Sequence, residues 1–244
     1  MSNHNVKAVI LAGGLGSRLK PFTDIIPKPL LPVGESSVLE IQVNSLARCG
    51  VREIYIATNY RADYVEAFLG DGSKYGVQLK YSKEEKRLGT CGPVGLLREE
   101  LTDPFILMNG DVLTNADFSS LYESALKIDA ELIVVTKEIV TPFHFGRVIT
   151  DGDFVNDVEE KPDVGMEILA GIYVMRPGVF GHIPPDVFYG MDSLIRDMLS
   201  QGKKVGRHLL NSYWLDVGQI QDYEQAEDAY RTHFSDLKQD SEDA

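Results

Sequence analysis

Apolar residues fall along this chain in short bursts, and the spacing within the bursts changes. Residues 7–12 (KAVILA) are a branched apolar run with glycines behind it, which predicts a buried strand. Across 37–49 the apolar positions Val38, Ile41, Val43 and Leu46 recur at helical spacing, and the stretch ends at Gly50, a C-cap candidate. A strand at 53–58, a short helix at 61–69 closed by Gly70, and a strand at 77–81 follow. A helix is predicted at 93–101 and a buried strand at 105–108, which runs into Asn-Gly-Asp. Residues 117–127 read as a helix and 130–137 as a strand. Strands alternating with helices predict an α/β fold, with a mostly parallel sheet covered on both faces.

Beyond residue 135 the pattern changes. Segments 146–149, 154–158 and 168–175 read as strands joined by turns. A helix at 191–199 is stopped by Gly202, and a strand near 213–217 precedes a helix from 220 to about 233. No internal repeat or linker cuts the chain. The expected organisation is one domain, 1–234, in two halves, 1–135 and 136–234. Residues 235–244 are polar and acidic and read as a flexible tail.

The 244 residues are ample for a sizeable core. Hydrophobic residues make up 43% and charged residues 25%, an ordinary globular balance with no run long enough to span a membrane. Residues 1–7 lack the apolar stretch of an export signal. Cys49 and Cys91 match no zinc spacing and suit a reducing compartment, so the chain is expected to be cytoplasmic, with no membrane partner. A net charge of −13 argues against a nucleic-acid partner. The first thirty residues are the exception: Lys7, Arg18, Lys20 and Lys28 stand there against Asp24 alone. An anion is steered by the local field, so an anionic ligand remains compatible with the acidic total.

The chemistry starts directly after the first strand, with Leu11-Ala12-Gly13-Gly14-Leu15-Gly16-Ser17-Arg18-Leu19. Glycines let backbone N–H groups approach a ligand, and Arg18 offers a planar fork for phosphate oxygens. A dinucleotide fingerprint needs a third glycine where Leu19 stands, and a P-loop needs Gly-Lys-Ser/Thr where Ser17-Arg18 stands. On the glycines alone, a phosphate loop and an ordinary turn are equally good readings. Pro27-Lys28-Pro29 adds a lysine on a stiff support, suited to a fixed anionic oxygen.

Taken together, Gly13-Gly14-x-Gly16-Ser17-Arg18-Leu19, Pro21-x-Thr23 and Pro27-Lys28-Pro29 resemble the signature of the sugar-phosphate nucleotidylyltransferases. Within that family the pattern is most similar to enzymes of the mannose-1-phosphate guanylyltransferase type. The resemblance implies a Rossmann-like, nucleotide-diphospho-sugar transferase fold, here without the C-terminal β-helix of many relatives, with 1–135 as the nucleotide-binding half and 136–234 as the sugar-binding half. It implies catalytic roles for Arg18 and Lys28, and nucleotide contacts from Leu11, Ala12, Gly13, Gly14, Gly16 and Ser17. Leu88-Gly89-Thr90-Cys91-Gly92-Pro93 resembles the family's base-recognition loop, with cysteine in place of alanine. Gly89 and Thr90 would then contact the nucleotide, and Glu84 or its neighbour Glu85 the base or ribose. Cys91 reads as a small packing residue. Asn109-Gly110-Asp111 and Trp214-Leu215-Asp216 resemble segments whose aspartates bind Mg2+, so Asp111 and Asp216 are the implied metal ligands. Trp214 reads as core. The sugar-phosphate contacts implied are Asn109, Gly146, Glu160, Lys161 and Gly171.

The implied reaction couples a nucleoside triphosphate to a hexose or heptose 1-phosphate, giving a nucleotide sugar and pyrophosphate. The base loop leans toward GTP. Two alternatives stay open: a cytidylyltransferase for a phosphorylated alcohol or amide, and a catalytically silent regulatory homologue. A homo-oligomer is compatible with the sequence. The five histidines show no metal spacing, and no Gly-x-Ser-x-Gly elbow supports hydrolase chemistry.

Overall fold

The apolar run behind the N-terminus becomes a strand at the heart of a sheet. A computed structural model describes residues 6–59 and 61–234; the acidic tail expected at 235–244 lies outside the described residues. In chain order the first half contains β1 (Lys7–Leu11), β2 (Pro32–Val33), β3 (Ser36–Ser37), α1 (Val38–Arg48), β4 (Glu53–Thr58) and α2 (Ala62–Leu69). It continues with β5 (Gln78–Lys83), α3 (Gly92–Gly95), β6 (Phe105–Asn109), β7 (Val112–Thr114) and α4 (Phe118–Leu126). The second half adds β8 (Leu132–Pro142), β9 (Arg147–Asp151), β10 (Phe154–Glu159), β11 (Asp163–Met175), α5 (Met191–Ser200), β12 (Val205–Leu209), β13 (Trp214–Asp216) and α6 (Ile220–His233).

Seven strands form one sheet in the order β12-β8-β11-β6-β1-β4-β5. The pairs β6–β1, β1–β4, β4–β5 and β12–β8 are parallel; only β11 runs against its two neighbours. The sheet is therefore mixed and mostly parallel. Successive side chains of β1 point to opposite faces. Ala8 and Ile10 meet Leu39, Val43 and Leu46 of α1, Val65 and Leu69 of α2, and Phe118 of α4. Val9 meets the other layer, with Val94, Leu97, and Leu194 and Met198 of α5. A third cluster joins Val33, Val38, Ile41, Leu113, Val217, Ala226 and Tyr230, which carries α6 back over the start of α1. That return brings the late strand β13 beside β7, antiparallel, with Asp216 opposite Val112.

Local chemistry sets the helix starts. Ser37 caps α1 through a reciprocal capping box with Glu40, worth about 1 kcal/mol, and Asp117 caps α4 by accepting from Ser119 and Ser120. Other elements depart from the sequence reading. The helix expected over 93–101 is regular only as α3, because Gly95 interrupts it and the chain goes on in turns. β12 was not anticipated: Gly206, Arg207 and His208 give it no apolar alternation, yet it pairs with β8 along the sheet edge. β8 and β11 extend past the expected 137 and 168, pairing as far as Pro142 and Asp163. Their outer ends leave Val140 and Met166 exposed, so core burial does not pattern them. β2, β3 and β7 are too short to show a period. Among the described residues no helix is long and apolar enough to cross a membrane.

Candidate active site

The carboxyl ends of the parallel strands β1, β4 and β6 converge on one edge of the sheet, the position where open α/β sheets bind ligands. The loop after β1 is built around Gly16. Its φ of 62° is left-handed, and a Cβ there would lie 2.7 Å from Thr23 Cγ2 and 2.9 Å from Lys28 Cβ. Glycine lets the loop fold onto both residues. The Gly16 carbonyl accepts from Leu19 N–H at 2.9 Å and from Thr23 Oγ1 at 2.8 Å. Leu19 is fully buried as the anchor of this turn, which leaves Arg18 exposed beside it. Ala12 is buried and donates its N–H to Ala57 O at 2.8 Å, so it braces the loop and lines neither of the two cavities described below.

The loop after β6 is tied to the first one, Gly110 N–H donating to Leu11 O at 2.9 Å. Gln42 of α1 holds it from below: its Nε2 donates to Asn109 O at 2.9 Å and to Val112 O at 2.7 Å. Lys28 Nζ reaches Asp111 Oδ2 at 2.5 Å. Asp111 Oδ1 is buried and, among the described residues, has no hydrogen-bond partner. β13 comes alongside, with Val217 N–H donating to Asp111 O at 2.9 Å. Burial pushes the Asp216 carboxyl up to about 6; the charges of Asp111 and Asp222 push the same way, and Lys28 and Arg18 pull against them. Asp222 caps the turn before α6, accepting from Gln219 N–H at 2.8 Å and Gly218 N–H at 3.2 Å.

An unpartnered buried carboxylate oxygen and a second carboxyl forced toward its neutral form are the signs of a site short of positive charge. Asp111 and Asp216 thus fit a hard divalent cation. Among the described residues no group of three or more His, Cys, Asp or Glu could hold a metal alone. The remaining ligands would have to be water or phosphate oxygens.

Two adjoining cavities receive these groups. The smaller of the two, about 310 Å³, is lined by Gly14, Gly16, Ser17, Arg18, Lys28 and Asp111, together with Leu15, Arg87 and Gly218. The larger one, about 420 Å³, is lined by Leu11, Gly13, Gly14, Glu84, Gly89, Thr90, Asn109 and Asp111. Asn59, Arg87, Phe188 and Asp192 line it too. Glu84 is 9% exposed, and its Oε2 accepts from Leu88 N–H at 2.8 Å. Oε1 is turned toward Gly13, 3.0 Å from where a Cβ would stand. Burial raises the Glu84 carboxyl. Glu85 is exposed and lines neither cavity, which separates the two neighbours.

The segment 88–92 is clamped from the far half of the chain. Tyr189 N–H donates to Leu88 O at 2.8 Å, and Tyr189 O accepts from Cys91 and Gly92. Thr90 Oγ1 accepts from Met191 N–H at 2.9 Å. Cys91 is fully buried and its thiol is pushed up to about 12, so it is inert packing. Trp214 donates Nε1–H to Ala170 O at 2.8 Å and packs against the main core cluster.

Gly171 abuts Asn109, since a Cβ would lie 2.8 Å from Asn109 Nδ2. Gly146, Glu160 and Lys161 form a separate group, with Glu160 Oε2 3.5 Å from the Cβ position of Gly146. They sit at the base of the β9–β10 hairpin and line neither cavity. Gln42, Arg87 and Asp222 were not singled out from the sequence, and neither were the lining residues Asn59, Phe188 and Asp192. Gln42 had a visible signal, being the polar residue in the stripe Leu39, Gln42, Val43, Leu46. Arg87 and Asp222 had none.

Residues 7–233 match a family model described as nucleotidyl transferase. The chain is 34% identical over 227 residues to the mannose-1-phosphate guanyltransferase of Schizosaccharomyces pombe, and 34% identical over 229 residues to that of Yarrowia lipolytica. Each alignment takes in 89% of this chain, which spans 62% of the length of either relative. Among solved structures, HddC from Yersinia pseudotuberculosis complexed with GMP-PN superposes with a TM-score of 0.71 at 26% identity, covering 92% of this chain and 99% of that one.

Proposed function

The chain belongs to the nucleotidyl transferase family, and on that premise we propose that it moves a nucleotidyl group from a nucleoside triphosphate to a sugar 1-phosphate, releasing pyrophosphate. One observation carries this reading. Arg18, Lys28 and Asp111 line a cavity of about 310 Å³, with the Asp216 carboxyl close enough to feel the charges of all three, and this cavity adjoins a larger one lined by the buried acceptor Glu84.

The chemistry asks little of the side chains beyond position and charge. An oxygen of the sugar phosphate attacks the α-phosphorus. The bond from that phosphorus to the bridging oxygen breaks, and its electron pair leaves with pyrophosphate. The attacking oxygen is already an anion, so no general base is needed. Arg18 and Lys28 neutralise the phosphate oxygens and hold them in line. Asp111 and Asp216 would hold Mg2+, which supplies charge neutralisation at the phosphates when bound. Asn109, beside Gly171, faces the sugar phosphate. At the hairpin, Glu160 would accept hydrogen bonds from the sugar hydroxyls and Lys161 would hold the sugar phosphate, where the backbone at Gly146 approaches the sugar.

Two observations support GTP as the donor. Guanine is the base whose pairing edge carries two adjacent donors, N1–H and the 2-amino group, which suit a carboxylate acceptor such as Glu84. HddC, similar in fold, is complexed with GMP-PN. The names of the curated relatives support mannose 1-phosphate or a related hexose or heptose phosphate as acceptor. Two free thiols fit a reducing, cytoplasmic setting.

The test is pyrophosphate release across GTP, CTP, UTP and dTTP, each with hexose and heptose 1-phosphates and with phosphocholine. Turnover with GTP and a sugar 1-phosphate is expected. Turnover confined to CTP and phosphocholine, or none with any pair, overturns the reading.

A further inference from the structure

Among the described residues the two cavities share three: Gly14, Arg87 and Asp111. Shared lining marks the passage from one cavity to the other. A triphosphate lying across both, base toward Glu84 and outer phosphates toward Arg18, must leave its α-phosphate in that passage. Gly14 brings backbone there and Asp111 brings a carboxylate. Arg87 is the one cation of the three.

The side chain of Arg87 is exposed, and no hydrogen bond or ion pair to a described residue engages its guanidinium. Its charge is felt at Glu84, where it pulls the carboxyl down against burial. Lys28 differs, since its ammonium is already committed to Asp111 at 2.5 Å. The backbone that carries Arg87 is held on both sides. Glu84 N–H donates to Thr58 O at 2.9 Å, and Leu88 N–H donates to Glu84 Oε2 at 2.8 Å. A fixed base with a free planar fork is the arrangement that grips phosphate oxygens in two directions at once.

We propose that Arg87 is a third catalytic cation, binding the non-bridging oxygens of the α-phosphate while nucleotidyl transfer takes place. The proposal rests on the reading of the site given above. As the sugar-phosphate oxygen bonds to the α-phosphorus and the bond to the leaving pyrophosphate breaks, negative charge shifts on those oxygens. A guanidinium already in place stabilises the change without reorganising.

The test compares wild type with R87K, R87Q and R87A on GTP and on the two diastereomers of its α-thio analogue, with thermal melting of each variant as a control for folding. R87Q is expected to lower kcat at least about tenfold with little change in the KM for sugar 1-phosphate. The rate ratio between oxygen and sulfur substrates is expected to shrink in R87Q for one diastereomer only. Added guanidinium should restore part of the R87A loss, and R87K should fall between wild type and R87Q. Unchanged kcat overturns the proposal. So does a fall in kcat that leaves both thio ratios at their wild-type values, or a change in base preference without one in the thio ratios. A wild type inactive on every substrate pair removes the underlying reading; an active wild type with indifferent Arg87 variants removes this inference alone.

Discussion

Lys28 Nζ lies 2.5 Å from Asp111 Oδ2, while the other oxygen of that carboxylate is buried with no partner among the described residues. The two residues are 83 positions apart. The pair joins the proline-braced turn after β1 to the loop after β6, so it belongs to the fold and to the site at once. In this arrangement the lysine holds the carboxylate in place, and the free oxygen faces where a cation fits.

Removing one partner should cost more than the pair is worth, because the other is left part-buried and uncompensated. Lys28→Ala is expected to destabilise the metal-free protein by about 1–3 kcal/mol, below the range for fully buried pairs because Asp111 keeps some solvent access. Adding Asp111→Asn should return part of that loss. Urea titrations of the four proteins in a double-mutant cycle measure it. Strictly additive losses would mean that the contact is incidental. Each single variant should also lower kcat at least about tenfold.

The Asp216 carboxyl titrates near 6 in the fold, against an ordinary 3.8. The native state therefore holds this proton more tightly than the unfolded chain does. The resulting stabilisation is fully present below about pH 4 and is lost as pH rises through about 6. Asp216→Asn removes the loss. In chelator at pH 7 the variant should melt about 2–4 °C above wild type, for a solvent-discounted effect of about 1 kcal/mol, and the gap should close toward pH 4. Mg2+ should raise the wild-type melting point more than that of the variant. Parallel pH profiles for the two proteins would refute this.

Glu84 gives the larger cavity, which the proposed function assigns to the base, a buried acceptor with no donor of its own. Glu84→Gln keeps its size and can still accept from Leu88 N–H, but it turns an NH2 group toward the base. The variant should lose at least about tenfold in kcat/KM for GTP relative to the other triphosphates. Steady-state kinetics with the four triphosphates decide it. An unchanged order of preference would assign Glu84 to holding the loop and base choice to other groups.

Much of this molecule could be read from residues close together in the chain. The branched runs at 7–12 and 105–108 became β1 and β6, and helical spacing across 37–49 became α1. The glycine loop, the proline-braced lysine and Asn-Gly-Asp are local patterns as well, and they pointed to a family without any knowledge of the chain path. These features are legible because they arise within one turn or one strand, from backbone sterics and from burial of one face.

Tertiary structure decided what depends on elements meeting. Glu84 and Glu85 are alike as letters; burial under Gly13 and a bond from Leu88 separate them. β12 carries no period of its own and is a strand because β8 offers it an edge. Lys28 finds Asp111, Asp216 arrives beside Asp111 on a strand from the far end of the chain, and Arg87 stands where two cavities join. Local order in the chain was enough to specify most of the strands and helices and to supply arginine, lysine and carboxylate groups. Which of those groups face one another, and at what charge, was settled only when the core clusters brought distant strand ends to one edge of the sheet, since proximity in space is a property of the packed chain and not of its neighbours in sequence.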